Sequence, residues 1–121
     1  MIVATGRSER ARGDAWAAFQ RGMGNWVCKL PASSLAGLPD WVLVDSFGVS
    51  FVEAKLLQKK GAAFVPSQCT RAQRFFLEAV GRHGGRAYVL VLGPEDWFMH
   101  QVTDHVTALS RVIYSQLAEP Y

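Results

Sequence analysis

Long hydrophobic runs are absent from this 121-residue sequence, although half of its residues are hydrophobic. A membrane-spanning helix needs roughly 20 consecutive apolar residues, and no run approaches that length. The N-terminal stretch, MIVATGRSERARGD, also lacks the apolar segment found at the centre of a signal peptide. These absences predict a soluble protein that stays in the cytoplasm and has no membrane partner.

Cysteine and histidine are scarce, with 2 cysteines and 3 histidines in the chain. Two cysteines do not make a disulfide scaffold or a zinc site, so we expect Cys28, in a strand, and Cys69, on a helix, to be reduced. The histidines show no spacing typical of metal ligands. Internal repeats, low-complexity tracts and a glycine-rich phosphate loop are also absent from the sequence. Disulfide scaffolds, zinc and histidine metal sites, repeat architectures and glycine-rich phosphate-binding loops are therefore excluded.

Length and charge indicate one globular domain spanning residues 1–121. A charged fraction of 19% suits a packed core rather than disorder. The net charge of +3 is compatible with nucleic-acid binding but does not establish it. Arginine suits bidentate contact with phosphate. Our candidate DNA-binding side chains are basic residues from three parts of the sequence, namely Arg7, Arg10, Arg12, Lys59, Lys60, Arg71 and Arg74.

The stretch Gly37–Lys55, GLPDWVLVDSFGVSFVEAK, predicts a β-hairpin, because two apolar runs flank the turn signal Ser46-Phe47-Gly48. Side chains alternate along a strand, so Glu53 and Lys55 share one face of the second strand. Asp40 enters the hairpin where Glu53 leaves it, and strand pairing therefore brings the two acids together at the open end. Two carboxylates and an ammonium group are suited to hold a divalent cation beside a nucleophile.

Pro39-Asp40 and Glu53-Ala54-Lys55 resemble the motif of the PD-(D/E)XK nuclease superfamily. The alternative interpretation is that Glu53 and Lys55 form an ion pair on the solvated face of an antiparallel strand. The resemblance covers roughly Ser8 to Leu92. It implies a restriction-endonuclease-like α/β core, a mixed sheet flanked by helices in the order α-β-β-β-α-β-α.

The elements around the hairpin follow from capping and periodicity. A helix is predicted from Ser8, its cap, to Gly22. Glu9 lies at the rim of its apolar arc, and we hold two interpretations equal: Glu9 faces the active site, or it complements the helix dipole. The other predictions are a strand over Asn25–Leu30, a loop over Leu57–Pro66, a strand over Ala87–Leu92, a short edge strand within Trp97–Val102 and a last helix over Thr103–Leu117.

A second helix is predicted from Ser67, its cap, to about His83, where Gly84-Gly85 stops it. Its expected buried face consists of Ala72, Phe75, Phe76, Ala79 and Val80. Gln68 falls on the same face and needs a polar partner there. Many members of the superfamily carry a glutamine after the Glu-x-Lys strand, and Gln68 matches that position. A partly exposed glutamine at a helix end is the alternative.

The resemblance also implies roles for these residues. Asp40 and Glu53 are the expected ligands of Mg²⁺, with Mn²⁺ as a substitute, and the Ala54 carbonyl is an expected third ligand. Lys55 would orient the attacking water or stabilise the charge of the transition state. Glu9 is the candidate for a second metal or a water bridge, and Gln68 completes the catalytic set. The expected products carry a 5′-phosphate and a 3′-hydroxyl.

Together these features predict a metal-dependent DNA endonuclease that hydrolyses phosphodiester bonds. By size and spacing the chain looks most like small Holliday junction resolvases and VRR-NUC nucleases, so we expect a homodimer that acts on branched DNA. Two alternatives stay open. One is a VRR-NUC-type, restriction or repair nuclease without junction preference. The other is a non-catalytic DNA-binding module on the same fold.

Overall fold

The computed structural model describes residues 9–31, 37–56, 63–64, 69–93, 96–103 and 112–113. Within them lie two helices, α1 (Glu9–Gly22) and α2 (Arg71–Arg82). The strands are β1 (Trp26–Lys29), β2 (Trp41–Asp45), β3 (Gly48–Leu56), β4 (Ala63–Phe64), β5 (Arg86–Leu92), β6 (Trp97–Gln101) and β7 (Val112–Ile113). The fold is therefore α/β, as the sequence predicts.

Five of the strands form one mixed sheet in the order β1-β2-β3-β5-β6. β2 and β3 are antiparallel and form the predicted hairpin, with Asp45 paired to Gly48 beside the turn. β3 and β5 are parallel, because the chain between them contains α2 and returns across the sheet. β6 pairs antiparallel with β5, which confirms the short edge strand predicted within Trp97–Val102.

The main hydrophobic core lies between α1 and one face of the sheet. Trp16, fully buried on α1, meets the Trp41 ring edge-on, with 5.7 Å between ring centroids. Phe19, one turn further along α1, contacts Trp97 of β6 in the same edge-to-face manner. Such aromatic pairs bury large areas and fix the angle between the packed elements. α1 is thereby held across the sheet, with Glu9 at one end.

The opposite face of the sheet is covered by α2, which packs against β5. Leu77 is the buried residue of this helix, and Phe76 meets Phe51 of β3 edge-on at 5.4 Å. Phe75, by contrast, is 71% exposed, so its predicted place on the buried face is wrong. The prediction treated the helix as covered over a broad arc. Leu77 is the one residue of α2 that is buried, and Ala72, Phe76, Ala79 and Val80 are half-buried.

Two predicted helix boundaries need correction. α2 begins at Arg71 with Thr70 as its cap, so the predicted start at Ser67 is wrong at Cys69 and Thr70, which are not helical. Cys69 lies buried just before the helix rather than on it. The predicted helix over Thr103–Leu117 is wrong at Val112–Ile113, which pair antiparallel with Ala63–Phe64. Strand pairing overrides helical periodicity there, and residues 104–111 and 114–117 lie outside the described residues.

Within the described part of the chain, neither helix is long and apolar enough to cross a lipid bilayer.

Gly37 ties the segment that leads into Asp40 to the first turn of α2. Its φ is +89°, and an added Cβ would lie 2.5 Å from the Ala72 carbonyl oxygen. Gly24 offers a matched control, because its φ is +87° and an added Cβ meets nothing within 4 Å. Any difference between the two alanine variants therefore isolates the close contact from the cost of the left-handed backbone.

We expect Gly24→Ala to lower the free energy of unfolding by about 1 kcal/mol, the cost of the backbone conformation. Gly37→Ala adds overpacking against a carbonyl, so we expect a loss of about 2–4 kcal/mol. Urea unfolding of both variants measures the difference. Equal losses would show that the Gly37–Ala72 contact does not constrain the fold.

Candidate active site

Asp40 is fixed to the hairpin by strand register and by a hydrogen bond. Trp41 pairs with Val52, so Asp40, one residue earlier, lies opposite Glu53, one residue later. The Oδ2 atom of Asp40 accepts a hydrogen bond of 2.8 Å from the backbone N–H of Ala54. The structure therefore brings together the two acids that the sequence analysis placed at the open end of the hairpin.

Glu53 is buried, with 3% of its surface exposed, on the face of β3 that α2 covers. Its Oε1 atom is buried and has no hydrogen-bond partner. The pKa of Glu53 is raised to about 7, first by burial and then by the Asp40 carboxyl beside it, while Lys55 acts in the opposite direction. Desolvation is the dominant cause, because a carboxylate out of water loses hydration that its neighbours only partly replace.

Lys55 lies two residues beyond Glu53 on the same face of β3, largely shielded from solvent. Its Nζ atom is 3.3 Å from Glu53 Oε2 and donates a 2.8 Å hydrogen bond to Gln73 Oε1. The ammonium group is thus held between a carboxylate and an amide oxygen. This placement excludes the interpretation of Glu53 and Lys55 as an ion pair on a solvated strand face.

Gln73 is a site residue that the sequence analysis missed. Its Oε1 atom accepts hydrogen bonds from both Lys55 Nζ and the backbone N–H of Thr70, while its own N–H donates to Thr70 Oγ1. This reciprocal arrangement is a capping box, whose sequence signature is Ser or Thr followed three residues later by Glu or Gln. The signature is present as Thr70-Arg71-Ala72-Gln73. Gln68, the predicted glutamine, lies outside the described residues.

Glu9 begins α1 at the edge of the same cluster. Partial burial and the nearby Asp40 carboxyl raise its pKa, while Lys55 and Lys29 act in the opposite direction. The side chain is nevertheless exposed. Glu9 is therefore within electrostatic reach of the acids without being buried among them, and it also sits where an acid complements the helix dipole.

The predicted DNA-binding side chains are not equivalent in the structure. Arg10 and Arg71 are exposed and Arg74 is half-buried. Arg12 is 4% exposed, which leaves little of its surface for contact with a phosphate, and its DNA-binding role stays a prediction. Arg7, Lys59 and Lys60 lie outside the described residues.

The carboxylate oxygens at this site suit a hard divalent cation that takes few of its ligands from the protein. Among the described residues, no three or more His, Cys, Asp or Glu side chains gather into a ligand group. Mg²⁺, however, usually keeps several waters and takes only one or two carboxylates from the protein. Asp40 and Glu53 offer those two, and the unpartnered Oε1 of Glu53 is a free oxygen donor. The residues present therefore fit such an ion.

The mixed sheet with a helix on each face has the restriction-endonuclease-like fold. No family model matches the sequence, and no curated protein matches it in sequence. Among solved structures, the chain is similar to Hjc, a Holliday junction resolvase from the archaeal hyperthermophile Archaeoglobus fulgidus. The TM-score is 0.55, the match covers 88% of each chain, and the sequence identity is 13%. The likeness confirms the fold.

The raised pKa of Glu53 predicts how the stability of the metal-free protein depends on pH. Between its ordinary pKa of 4.5 and about 7, the folded protein holds a proton that the unfolded chain releases. The contribution of Glu53 to stability is therefore fully present below pH 4.5 and is lost as the pH rises through about 7. A Glu53→Gln variant lacks this pH-dependent contribution to stability, because an amide does not titrate in this range.

In buffer containing EDTA, we expect the melting temperature of Glu53→Gln to rise relative to the unaltered chain as the pH increases from about 5 to about 8. Thermal unfolding of both proteins at several pH values measures this difference. A difference that stays constant across that range would contradict the buried, proton-holding carboxyl.

The link between Gln73 and Lys55 can be separated from helix capping. Thr70→Ala and Gln73→Ala each remove part of the capping box, at a cost of about 1 kcal/mol. Only Gln73 also contacts Lys55. In double-mutant cycles with Lys55→Met, we expect a coupling of about 0.5–1.5 kcal/mol for Gln73 and none for Thr70. Equal couplings would show that the 2.8 Å contact adds nothing to stability.

Proposed function

We propose that this chain is a divalent-metal-dependent DNA endonuclease of the PD-(D/E)XK superfamily. The observation that carries the proposal is the joint placement of Asp40, Glu53 and Lys55 on one hairpin, with a buried Glu53 oxygen left without a donor. The similarity of the fold to a Holliday junction resolvase supports it. The match to the Pro-Asp and Glu-x-Lys motif is independent of that similarity.

Phosphodiester hydrolysis requires a nucleophilic water and a means to neutralise the anionic transition state. A bound Mg²⁺ or Mn²⁺ supplies Lewis-acid polarisation of the scissile phosphate and makes the attacking water more acidic. Asp40 and Glu53 would hold the cation through carboxylate oxygens, with the Ala54 carbonyl as a third protein ligand. The Ala54 N–H keeps Asp40 in place for this role.

Lys55 places a positive charge 3.3 Å from the Glu53 carboxylate on β3. We assign it to orient the attacking water or to stabilise the developing charge on the phosphate oxygens. Gln73 is a positioning residue, because it holds the Lys55 ammonium through Oε1 without needing to touch the substrate. Glu9, exposed at the edge of the cluster, is assigned to a second cation or a bridging water.

A non-catalytic DNA-binding module is the weaker alternative. A module that only binds DNA gains nothing from acids beside the phosphates, and a buried Glu53 with its pKa raised to about 7 weakens the fold near neutral pH. Proteins retain such groups mainly where chemistry requires them. A nuclease without junction preference, of VRR-NUC, restriction or repair type, fits the same site and differs only in substrate.

We further propose branched DNA as the substrate and a homodimer as the active form. Phe75 is 71% exposed beside an apolar groove of about 560 Å³ on α2. Exposed apolar surface of this kind marks interfaces between proteins. A second copy of the chain on this groove would place two active sites against two opposed DNA strands. Arg71 and Arg74, beside the groove and the site, suit contact with phosphates.

Removing a metal-binding carboxylate is the direct test of catalysis. We expect Asp40→Asn to lower the Mg²⁺-dependent cleavage rate by about 100-fold or more, while DNA binding is preserved or strengthened because a repulsive charge is lost. Lys55→Ala is expected to lower the rate at saturating metal far more than it changes metal affinity. Asp14→Asn, which alters an exposed acid on α1, is the matched control.

A gel assay on duplex, flap, single-stranded and four-way DNA measures these rates, together with a binding assay in Ca²⁺. Full activity of Asp40→Asn would refute the assignment of the site. Loss of metal binding in Lys55→Ala with an unchanged rate at saturating metal would make Lys55 a structural neighbour instead.

Assembly and substrate preference are tested together. We expect light scattering at micromolar concentration to show a dimer, and Phe75→Glu to shift it to a monomer, because a carboxylate in an apolar interface is left unpaired. Phe98→Glu, on the edge strand β6, is the control and keeps the dimer. In competition, a four-way junction should displace a duplex of equal sequence. A monomer that binds the junction and the duplex with equal affinity would indicate a general nuclease without junction preference.

A further inference from the structure

A second pocket lies at the far end of the sheet from the acids. It has a volume of about 360 Å³ and sits between the end of α1 and the β2–β3 turn. We name it the turn-end pocket, and the polar and aromatic residues that define it are Gln20, Asn25, Asp45, Phe47, Arg86 and Tyr88. β3 separates it from Glu53 by roughly 17 Å, from Gly48 along five residues of strand. Nothing in the proposed chemistry uses it.

Arg86 is the central side chain of the turn-end pocket. Its guanidinium carbon lies 5.3 Å from the centre of the Phe47 ring and 5.7 Å from that of Tyr88. Its Nη2 atom donates a 2.7 Å hydrogen bond to the Tyr88 hydroxyl and is 3.8 Å from Asp45 Oδ2. The guanidinium is thus oriented by two rings and a carboxylate, while its Nε has no hydrogen-bond partner.

A second unpartnered polar group, which does not line the pocket, lies next to Arg86 in the sheet. Ser50 is fully buried, and its Oγ atom has no hydrogen-bond partner. Ser50 pairs with Arg86 in the β3–β5 register, so both side chains lie on the same face of the sheet in adjacent strands. Buried donors without partners are uncommon and destabilising. Of the two, only Arg86 lines the pocket, so its Nε is the donor that a ligand with a polar acceptor would satisfy.

The charges of the lining residues restrict the kind of ligand. Asp45 beside Arg86 balances the guanidinium, so a phosphate or carboxylate meets a repelling acid as well as an attracting base. One carboxylate does not make a metal site. A wholly apolar ligand would desolvate Asp45 and Arg86 without compensation. A neutral planar group that carries both donors and acceptors satisfies all of these conditions.

We propose that the turn-end pocket binds a nucleobase. Asp45 accepts from the N–H groups of the base, Arg86 donates to its ring nitrogen or carbonyl, and the Phe47 ring provides a stacking surface. Phe47 suits this role because it is 79% exposed at the tip of the turn, held there by a 2.8 Å hydrogen bond from its N–H to Asp45 Oδ1. Stacking on an aromatic ring is tolerant of base identity.

The base has two possible sources, an unpaired base of DNA and a free nucleotide. The DNA source rests on the proposed nuclease function, whereas binding of a free nucleotide does not. Both are tested on the full chain labelled with ¹⁵N, in EDTA so that no cleavage occurs. The probes are dGMP, deoxyribose 5-phosphate, a short single-stranded oligonucleotide and the corresponding duplex.

We expect dGMP to shift the backbone amide resonances of Asp45, Phe47 and Arg86, and deoxyribose 5-phosphate, which has no base, to leave them in place. Phe47→Ala should lower the affinity for dGMP by at least about 10-fold, because the base loses its stacking surface. Phe98→Ala, which alters an exposed phenylalanine on β6, should leave the affinity unchanged. The same shifts with single-stranded DNA, and not with the duplex, would assign the source to unpaired bases.

The proposal that the turn-end pocket binds a base would be overturned by either of two results. One is that deoxyribose 5-phosphate shifts the same resonances as much as dGMP does, and the other is that Phe47→Ala keeps its affinity for dGMP. Metal-dependent cleavage that persists alongside either result would leave the nuclease proposal intact. Conversely, dGMP binding at the turn-end pocket in a chain that never cleaves DNA would support the proposed base binding and refute the proposed nuclease function.

Discussion

Burial of the Glu53 carboxyl beside Asp40 is the constraint on which the account of this protein depends. Hydration favours an ionised carboxylate by a large margin, so a fold that removes the water must compensate the charge or lose stability. Lys55 compensates only in part, because the pKa of Glu53 still rises to about 7. An unsatisfied acid next to another acid is the electrostatic basis of the proposed cation site, because a bound cation would reverse the direction of that pKa shift.

The rest of the fold serves to hold these groups in one place. Strand register sets Asp40 opposite Glu53, and the Ala54 N–H fixes the Asp40 oxygen. α2 adds the Thr70–Gln73 capping box, which joins the start of a helix to the Lys55 ammonium through a single amide oxygen. Gly37 brings the incoming chain against the same helical turn. Hydrophobic packing through Trp16 and Trp41 orients α1 across the other face.

Local pattern accounts for what could be predicted from the sequence. The hairpin, the parallel crossover and the edge strand all follow from apolar runs, turn residues and the order of elements. The proximity of Asp40 and Glu53 follows from the same hairpin register. The errors arise where tertiary contacts decide. Phe75 shares the helical period of the predicted buried face, yet it is 71% exposed, and Arg12 is buried although its charge favours the surface.

Gln73 shows the limit of motif matching most clearly. Gln68 is predicted from its position along the chain after the Glu-x-Lys strand, whereas the contact with Lys55 depends on where α2 begins. The Thr-x-x-Gln signature fixes that beginning at Thr70, and it would have identified Gln73 had capping been weighed before position. The predicted last helix is wrong at Val112–Ile113, because periodicity does not reveal that these residues pair with Ala63–Phe64.

Proton release on metal binding would show whether a divalent cation binds to the Glu53 carboxyl. If Asp40 and Glu53 jointly bind a divalent cation, Mn²⁺ must displace the proton that Glu53 holds below its pKa of about 7. Calorimetric titration of Mn²⁺ in buffers of different ionisation enthalpy counts the protons released. We predict the release of about one proton per chain near pH 6, falling toward zero near pH 8, and no such change in Glu53→Gln. Absence of Mn²⁺ binding, or a proton count that does not depend on pH, would contradict it.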